Sequence, residues 1–267
     1  MTSPPTRAAE DRSAYTLFNP TPMRLMRDYD PDRPGQSHDP TTVDAGHVEI
    51  ETGGFEHVYD PRGPGATSTR RYIYANPTVR VGVTNWAEIQ VSAPLHHLLR
   101  TGGSEVASAR GVGDASLAAK INLLGNDSGD HLLALLPIVK FGTARTPIGN
   151  GFAEYTFAIP YNYDITKELA LTLEPSFGAL RNAANTGYRD SYGFIAGFDQ
   201  RFAKDFIASF EVFTLTSTAR KEATIWGVAP SLAYFLSRNL QLDGGINLGL
   251  NKATPRYNPY IGVSARF

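Results

Sequence analysis

The chain has 267 residues, 42% hydrophobic and 19% charged, with a formal net charge of -1 and no cysteine. The absence of a basic run sets nucleic acid aside as a partner, because phosphate binding needs clustered Lys and Arg, and the absence of cysteine excludes disulfides, thiolate metal sites, a Cys nucleophile and lipidation at an N-terminal Cys. No stretch approaches the roughly 18 uninterrupted apolar residues of a spanning helix, and the most apolar one, residues 132–141, is cut by Pro137 and Lys140.

The chain opens on Met1, Thr2, Ser3, Pro4, Pro5 and Thr6, with no basic and apolar signal region, so for an exported protein this numbering is expected to describe a mature or trimmed form. Residues 1–42 carry Pro4, Pro5, Pro20, Pro22, Pro31, Pro34 and Pro40, which prevent a long ladder. They read as an extended periplasmic arm that can also serve as a plug, and residues 43–267 as the folded domain.

From residue 43 onward twelve strands are expected, at 43–57, 70–83, 86–95, 112–124, 131–143, 151–164, 168–181, 187–203, 206–217, 222–236, 240–251 and 257–267. The last two show the pattern best. Tyr257, Pro259, Ile261, Val263, Ala265 and Phe267 share one face, and Asn258, Tyr260, Gly262, Ser264 and Arg266 the other. Leu240, Leu242, Ile246, Leu248 and Leu250 likewise alternate with Gln241, Asp243, Asn247 and Asn251. One face suits lipid and the other water. An even strand number is what single-chain bacterial barrels require, and a mean hydropathy of -0.25 fits strands with only one apolar face.

The connections alternate in length. Short ones at 84–85, 126–130, 166–167, 204–205 and 237–239 interleave with mostly longer ones at 60–69, 96–111, 144–150, 182–186, 218–221 and 252–256. Short periplasmic turns and longer external loops produce this alternation, with both termini in the periplasm. Aromatic residues gather at strand ends, with Phe202, Phe206 and Phe267 toward the periplasm and Tyr188, Trp226 and Tyr257 toward the outside, as girdles at headgroup level do. The fold class is therefore all-β: a transmembrane antiparallel β-barrel of about 12 strands in the bacterial outer membrane, with outer-membrane lipid as its surroundings.

Phase along the strands puts Glu49, Glu51, Arg80, Glu88, Gln90, Asp114, Lys120, Lys140, Glu154, Glu174, Asp199, Arg201, Glu211, Asp243 and Arg266 on the side away from lipid. A Lys or Arg facing hydrocarbon costs about 2–4 kcal/mol at the midplane, so this face lines an aqueous or mutually paired interior. The lumen-lining candidates are Arg80, Glu88, Lys120, Lys140, Glu174, Asp199, Arg201, Glu211, Asp243 and Arg266. They form either a salt-bridged wall or the polar lining of a transport path. Barrels of around eight strands are filled by side chains and those of sixteen to eighteen hold wide channels, so twelve allow a narrow pore. The fifth strand departs from the pattern, because Leu132, Ala134, Leu136 and Ile138 are apolar before Lys140. This stripe reads equally as a path for greasy solutes or as a surface for the arm.

No catalytic residue, cofactor or metal is expected. The six histidines, His38, His47, His57, His96, His97 and His131, fall on no strand motif with a nearby Ser, and adjacent loop histidines such as His96 and His97 are more often solvated than metal-bound. Gly111, Val112, Gly113 and Asp114 are too few for a nucleotide-binding loop and no helix follows them.

Several segments together resemble a family of bacterial outer-membrane proteins named for the meta pathway of phenol degradation. They are residues 17–22 (Leu-Phe-Asn-Pro-Thr-Pro) followed by Met26 and Arg27, then Asp32, Arg33 and Pro34, then residues 42–49 (Thr-Val-Asp-Ala-Gly-His-Val-Glu). Further along come residues 111–114 leading to Lys120, then Val139 and Lys140, and the closing residues 260–267, so the resemblance covers roughly 15–267. The family usually continues the fifth strand from Lys into Leu-Pro-Thr-Gly, whereas here Lys140 is followed by Phe141, Gly142, Thr143 and Ala144. The resemblance implies an outer-membrane channel or transporter importing aromatic or other hydrophobic small molecules. Phe267, with Val263 and Ala265 before it, also resembles the signal read by the barrel assembly machinery, the partner this implies. A lipid-modifying barrel enzyme and a non-conducting structural barrel are the alternatives.

Overall fold

The structure is a computed structural model that describes residues 11–63, 67–102, 107–182, 185–218 and 222–267. Residues 1–10 of the arm and parts of the expected external links at 60–69, 96–111, 182–186 and 218–221 lie outside the described residues. A 3-10 turn at Met23–Leu25 is the only helical element described.

Fifteen strand segments follow: β1 (Val48–Gly63), β2 (Thr67–Thr84), β3 (Ala87–Ser92), β4 (His96–Gly102), β5 (Ala107–Gly111), β6 (Ser116–Leu124), β7 (His131–Lys140), β8 (Glu154–Ala158), β9 (Tyr161–Asp164), β10 (Leu169–Arg181), β11 (Tyr188–Ala203), β12 (Phe206–Ser217), β13 (Ile225–Ser237), β14 (Leu240–Gly249) and β15 (Tyr257–Arg266). Each pairs antiparallel with its neighbours in one sheet, and β1 pairs with both β2 and β15, which closes the ring. The segments compose twelve strands, because β3/β4, β5/β6 and β8/β9 are halves of single strands. β2 holds β3 along its lower half and β4 along its upper half, while β10 and β7 both bridge β8 and β9. Pro94 and Pro160 sit at two of the breaks, where a residue without N–H cannot continue the ladder.

The burial order is inverted relative to a water-soluble protein. Arg80, Lys120 and Glu88 are at most 1% exposed, while Phe210, Leu232 and Ile261 are 50 to 61% exposed. Charges face in and apolar side chains face out, as lipid demands. Phe202 stacks on Phe206, and Phe206 on Tyr234, near the short-turn end. Tyr188 and Trp226 stand exposed near the other end.

Two expectations differ from the structure. Strand one begins at Val48 rather than at residue 43, because residues 43–47 belong to the arm. The links expected at 60–69 and 96–111 are largely strand, since β1 and β2 rise to Gly63 and Thr67, and β4 and β5 form a hairpin above them. Past the hydrocarbon layer both faces of a strand meet water, so no apolar alternation marks it in the sequence.

Candidate functional site: the lumen and its arm

The arm bonds to inward side chains of β1, β3, β6, β9, β10, β12, β14 and β15 at once. Only a segment lying inside the ring can reach all of these. Its first part runs along the short-turn mouth, where Arg12 and Arg27 pair with Asp127 at 3.0 Å. Residues 28–39 enter the lumen, and residues 40–47 return to β1.

Four wall glutamates hold the arm by its backbone. Asp32 and Arg33 donate their N–H groups to Glu51 at 3.0 and 2.9 Å. Gln36 and Ser37 donate theirs to Glu211 at 2.6 and 3.1 Å, with the Ser37 hydroxyl also donating. His38 N–H donates to Glu174 at 2.7 Å and its ring Nδ1 lies 3.1 Å from the same carboxylate. Val43 N–H donates to Glu88 at 2.5 Å. Proline-rich backbone has few donors and no ladder partner, so wall carboxylates satisfy those that remain.

Side chains complete the lock. Arg80 reaches Glu51 at 2.7 Å, Glu88 at 2.8 Å, Glu49 at 3.2 Å and Asp32 of the arm at 3.5 Å. Lys120 donates to Asp32 at 2.6 Å. Burial alone would raise the Asp32 carboxyl, but Arg80 and Lys120 outweigh it and hold that group below the usual carboxylate range. Arg33 pairs with Asp243 at 2.6 Å and stacks over Tyr260, whose hydroxyl donates to the Pro34 carbonyl at 2.7 Å. Arg266 meets Asp44 at 3.4 Å and the Arg27 carbonyl at 3.0 Å.

Asp199 and Arg201 stand apart from this lock. Asp199 accepts from Thr172 at 3.0 Å, and Arg201 lies over the Phe235 ring while donating to the Lys204 carbonyl. Both border a cavity of about 310 Å³ between the arm and β9 to β12, together with Asp30, Asp39 and Leu132. Burial, then Asp39 and Asp199, push the Asp30 carboxyl well up. Burial pulls His38 down, but the Glu174 carboxylate more than offsets it and His38 ends up raised.

Lys140 belongs to the opposite end of the lumen. It contacts Asp114 and Glu154, each at 3.0 Å, and Asp114 accepts the Ala144 N–H at 2.8 Å. This cluster ties the base of the connection at 141–153 to the wall. The apolar stripe on β7 is packed within the wall, with Leu136 against Ala118, Ala158 and Ile138. Above the arm, register places Ile73, Ile195, Phe213, Leu215 and Ile225 on the inner face.

Phe267 closes the seam, exchanging backbone hydrogen bonds with Val48; Val263 and Ala265 pair with Thr52 and Ile50 of β1. His96 faces Tyr74 on the outside and His97 faces Ile73 on the inside, so the two imidazoles point to opposite faces. Among the described residues no histidine is hydrogen-bonded to a serine, and no group of His, Asp and Glu has a geometry that could hold a metal.

Asp32, Arg33, Asp44 and Tyr260 carry much of the arm's docking and were not singled out by sequence as site residues. The hint was compositional, because Asp and Arg recur among prolines where a bare linker needs neither.

The family model described as "Putative MetA-pathway of phenol degradation" matches residues 31–267. The chain belongs to this family. Among solved structures it is similar to the COG4313 outer membrane channel from Pseudomonas putida F1, at 12% identity and a TM-score of 0.67, covering 83% of this chain and 95% of that one. It is also similar to the NanC porin, at 10% identity and a TM-score of 0.51 over 82% and 98%. The KdgM porin, solved with disordered oligogalacturonate, gives 12% identity and a TM-score of 0.51 over 83% and 99%. No curated protein matches. The family member described here is thus an outer-membrane β-barrel of the channel and porin architecture.

Proposed function

We propose that this family member is a passive outer-membrane channel for small molecules, that residues 11–47 act as its plug, and that aromatic or hydrophobic compounds are its solutes. The observation that carries the reading is the arm in the lumen. A structural barrel has no need to fill its interior with a removable segment, whereas a gated channel does. The arm buries Leu25, Tyr29, Val43 and Ala45, with Tyr29 edge-on to Phe235, but most of its bonds to the wall are hydrogen bonds and ion pairs, contacts that exchange with water at modest net cost. Above it, Ile195, Phe213, Leu215 and Ile225 offer an apolar inner face to a solute entering from outside. The family description and the channel architecture support the same class. Asp199 and Arg201, free of the lock and bordering the cavity, are the wall charges a solute meets once the arm yields. Lys140, with Asp114, shapes the outer entrance.

Single-channel conductance in a planar bilayer tests this, on the full chain and on a chain lacking residues 1–42. Small or infrequent steps from the full chain and large, persistent ones from the shortened chain are expected. Silence from both, in protein shown to be folded and inserted, overturns the channel reading; equal steps from both overturn the plug.

A further inference from the structure

On the outer surface of the first strands, three arginines stand without a carboxylate partner among the described residues. Register pairs Tyr59 of β1 with Tyr257 of β15 and with Arg70 of β2, and pairs Arg70 with Arg100 of β4. Arg110 of β5 lies across from Leu98, diagonal to Arg100. Alternation from the inward residues Ile73 and His97 puts all three arginines on the outside, and all three are exposed. Arg70 lies 5.2 Å from the centre of the Tyr59 ring and Arg100 5.9 Å from that of Tyr72.

Like charges directly opposite on neighbouring strands destabilise a sheet, yet Arg70 and Arg100 face one another. Among the described residues none of the three guanidinium groups has a carboxylate or hydrogen-bond partner. Arg181, elsewhere on the outer rim, also lies over aromatic rings, but it is bonded to Asn185. Arg189 is paired with Glu222. Arg70, Arg100 and Arg110 thus gather three such exposed arginines in the one sector where the strands rise past the girdle.

Their height identifies the partner. The Tyr59–Tyr257 ring pair, 5.1 Å apart, fits an aromatic girdle at headgroup level, which sets Arg70, directly opposite Tyr59, beside the outer-leaflet phosphates. Ring-stacked guanidiniums are held in place before a ligand arrives, and their forked donors match phosphate oxygens. We infer that Arg70, Arg100 and Arg110 form a docking face for the phosphate groups of the phosphorylated glycolipid of the outer leaflet. An anion between Arg70 and Arg100 would turn their repulsion into a bridge and steady the tall hairpin formed by β4 and β5.

Native mass spectrometry of the full chain in detergent, titrated with bis-phosphorylated lipid A and with lipid A stripped of both phosphates, tests this. The wild type should retain the phosphorylated form and bind the stripped form at least about tenfold more weakly. R70Q/R100Q/R110Q should bind the phosphorylated form about as weakly as the wild type binds the stripped one, while R189Q leaves binding unchanged. Equal retention of the two lipids by the wild type overturns the inference without any variant, which covers a triple variant that fails to fold. Equal binding by a folded triple variant, judged by heat-modifiable gel migration, overturns it as well, as does displacement by millimolar inorganic phosphate alone, which would indicate a nonspecific anion site.

Discussion

Arg80 is a single cation serving four carboxylates, one of them on the arm, at a position 1% exposed. Truncating one member of a buried charge cluster leaves the others unpaired, at a cost of about 3–5 kcal/mol. R80M is therefore expected to lower the urea midpoint of unfolding far more than R201M, whose guanidinium faces the cavity; equal midpoints would show that the cluster relaxes into water. His38 supplies a pH dependence. Its folded pKa is raised by Glu174, so the pair's contribution to docking is fully present below the unfolded pKa near 6.5. That contribution is lost as pH rises through the folded value. The raised carboxyls of Asp30 and Asp39 act in the same direction, since both ionise as pH rises. Full-chain conductance should thus increase toward alkaline pH, with H38Q showing a weaker dependence; a flat wild-type profile contradicts the role given to His38. Residues of the wall were legible in the sequence because lipid tolerates no charge on the other face. Their partners were not, since Glu211 looks the same whether it meets water or the N–H of Gln36.

At the level of elements, the arm's return depends on one close approach. A Cβ on Gly82 of β2 would stand 2.1 Å from the Asp44 carbonyl oxygen and 2.5 Å from that of Val43, and both are backbone atoms that cannot swing aside. Gly46 accompanies it with φ of 78°, a left-handed conformation that favours glycine, and donates its N–H to the Gly82 carbonyl. G82A is expected to leave the barrel assembled but displace the arm, raising conductance toward that of the shortened chain; unchanged conductance would mean that the arm re-seats by another route. The twelve strands were readable wherever lipid imposes a period of two. The exposed upper parts of β1, β2, β4 and β5 were not, and neither was the path of the arm. Proline excludes a ladder but does not say where the chain goes instead.

Closure of the ring rests on β1 meeting β15, with Val48 and Phe267 exchanging the last pair of hydrogen bonds. Phe267 is 69% exposed at the lipid-facing edge of that seam. Its side chain adds little to the folded wall, so we propose a role for it in assembly. We expect deletion of Phe267 to reduce the yield of assembled barrel in cells while leaving refolding in detergent largely intact; normal yields in cells would argue against a recognition role. The way the arm enters has a consequence for how the barrel could open. Arg27 and Thr42, at the two ends of its excursion, both bond to Asn85 in one short turn. The segment goes in and comes out through the same mouth, so it is looped rather than threaded. On the plug reading, a pull from the short-turn side would draw it out like a cork on a string, without parting a single seam of the cylinder that surrounds it.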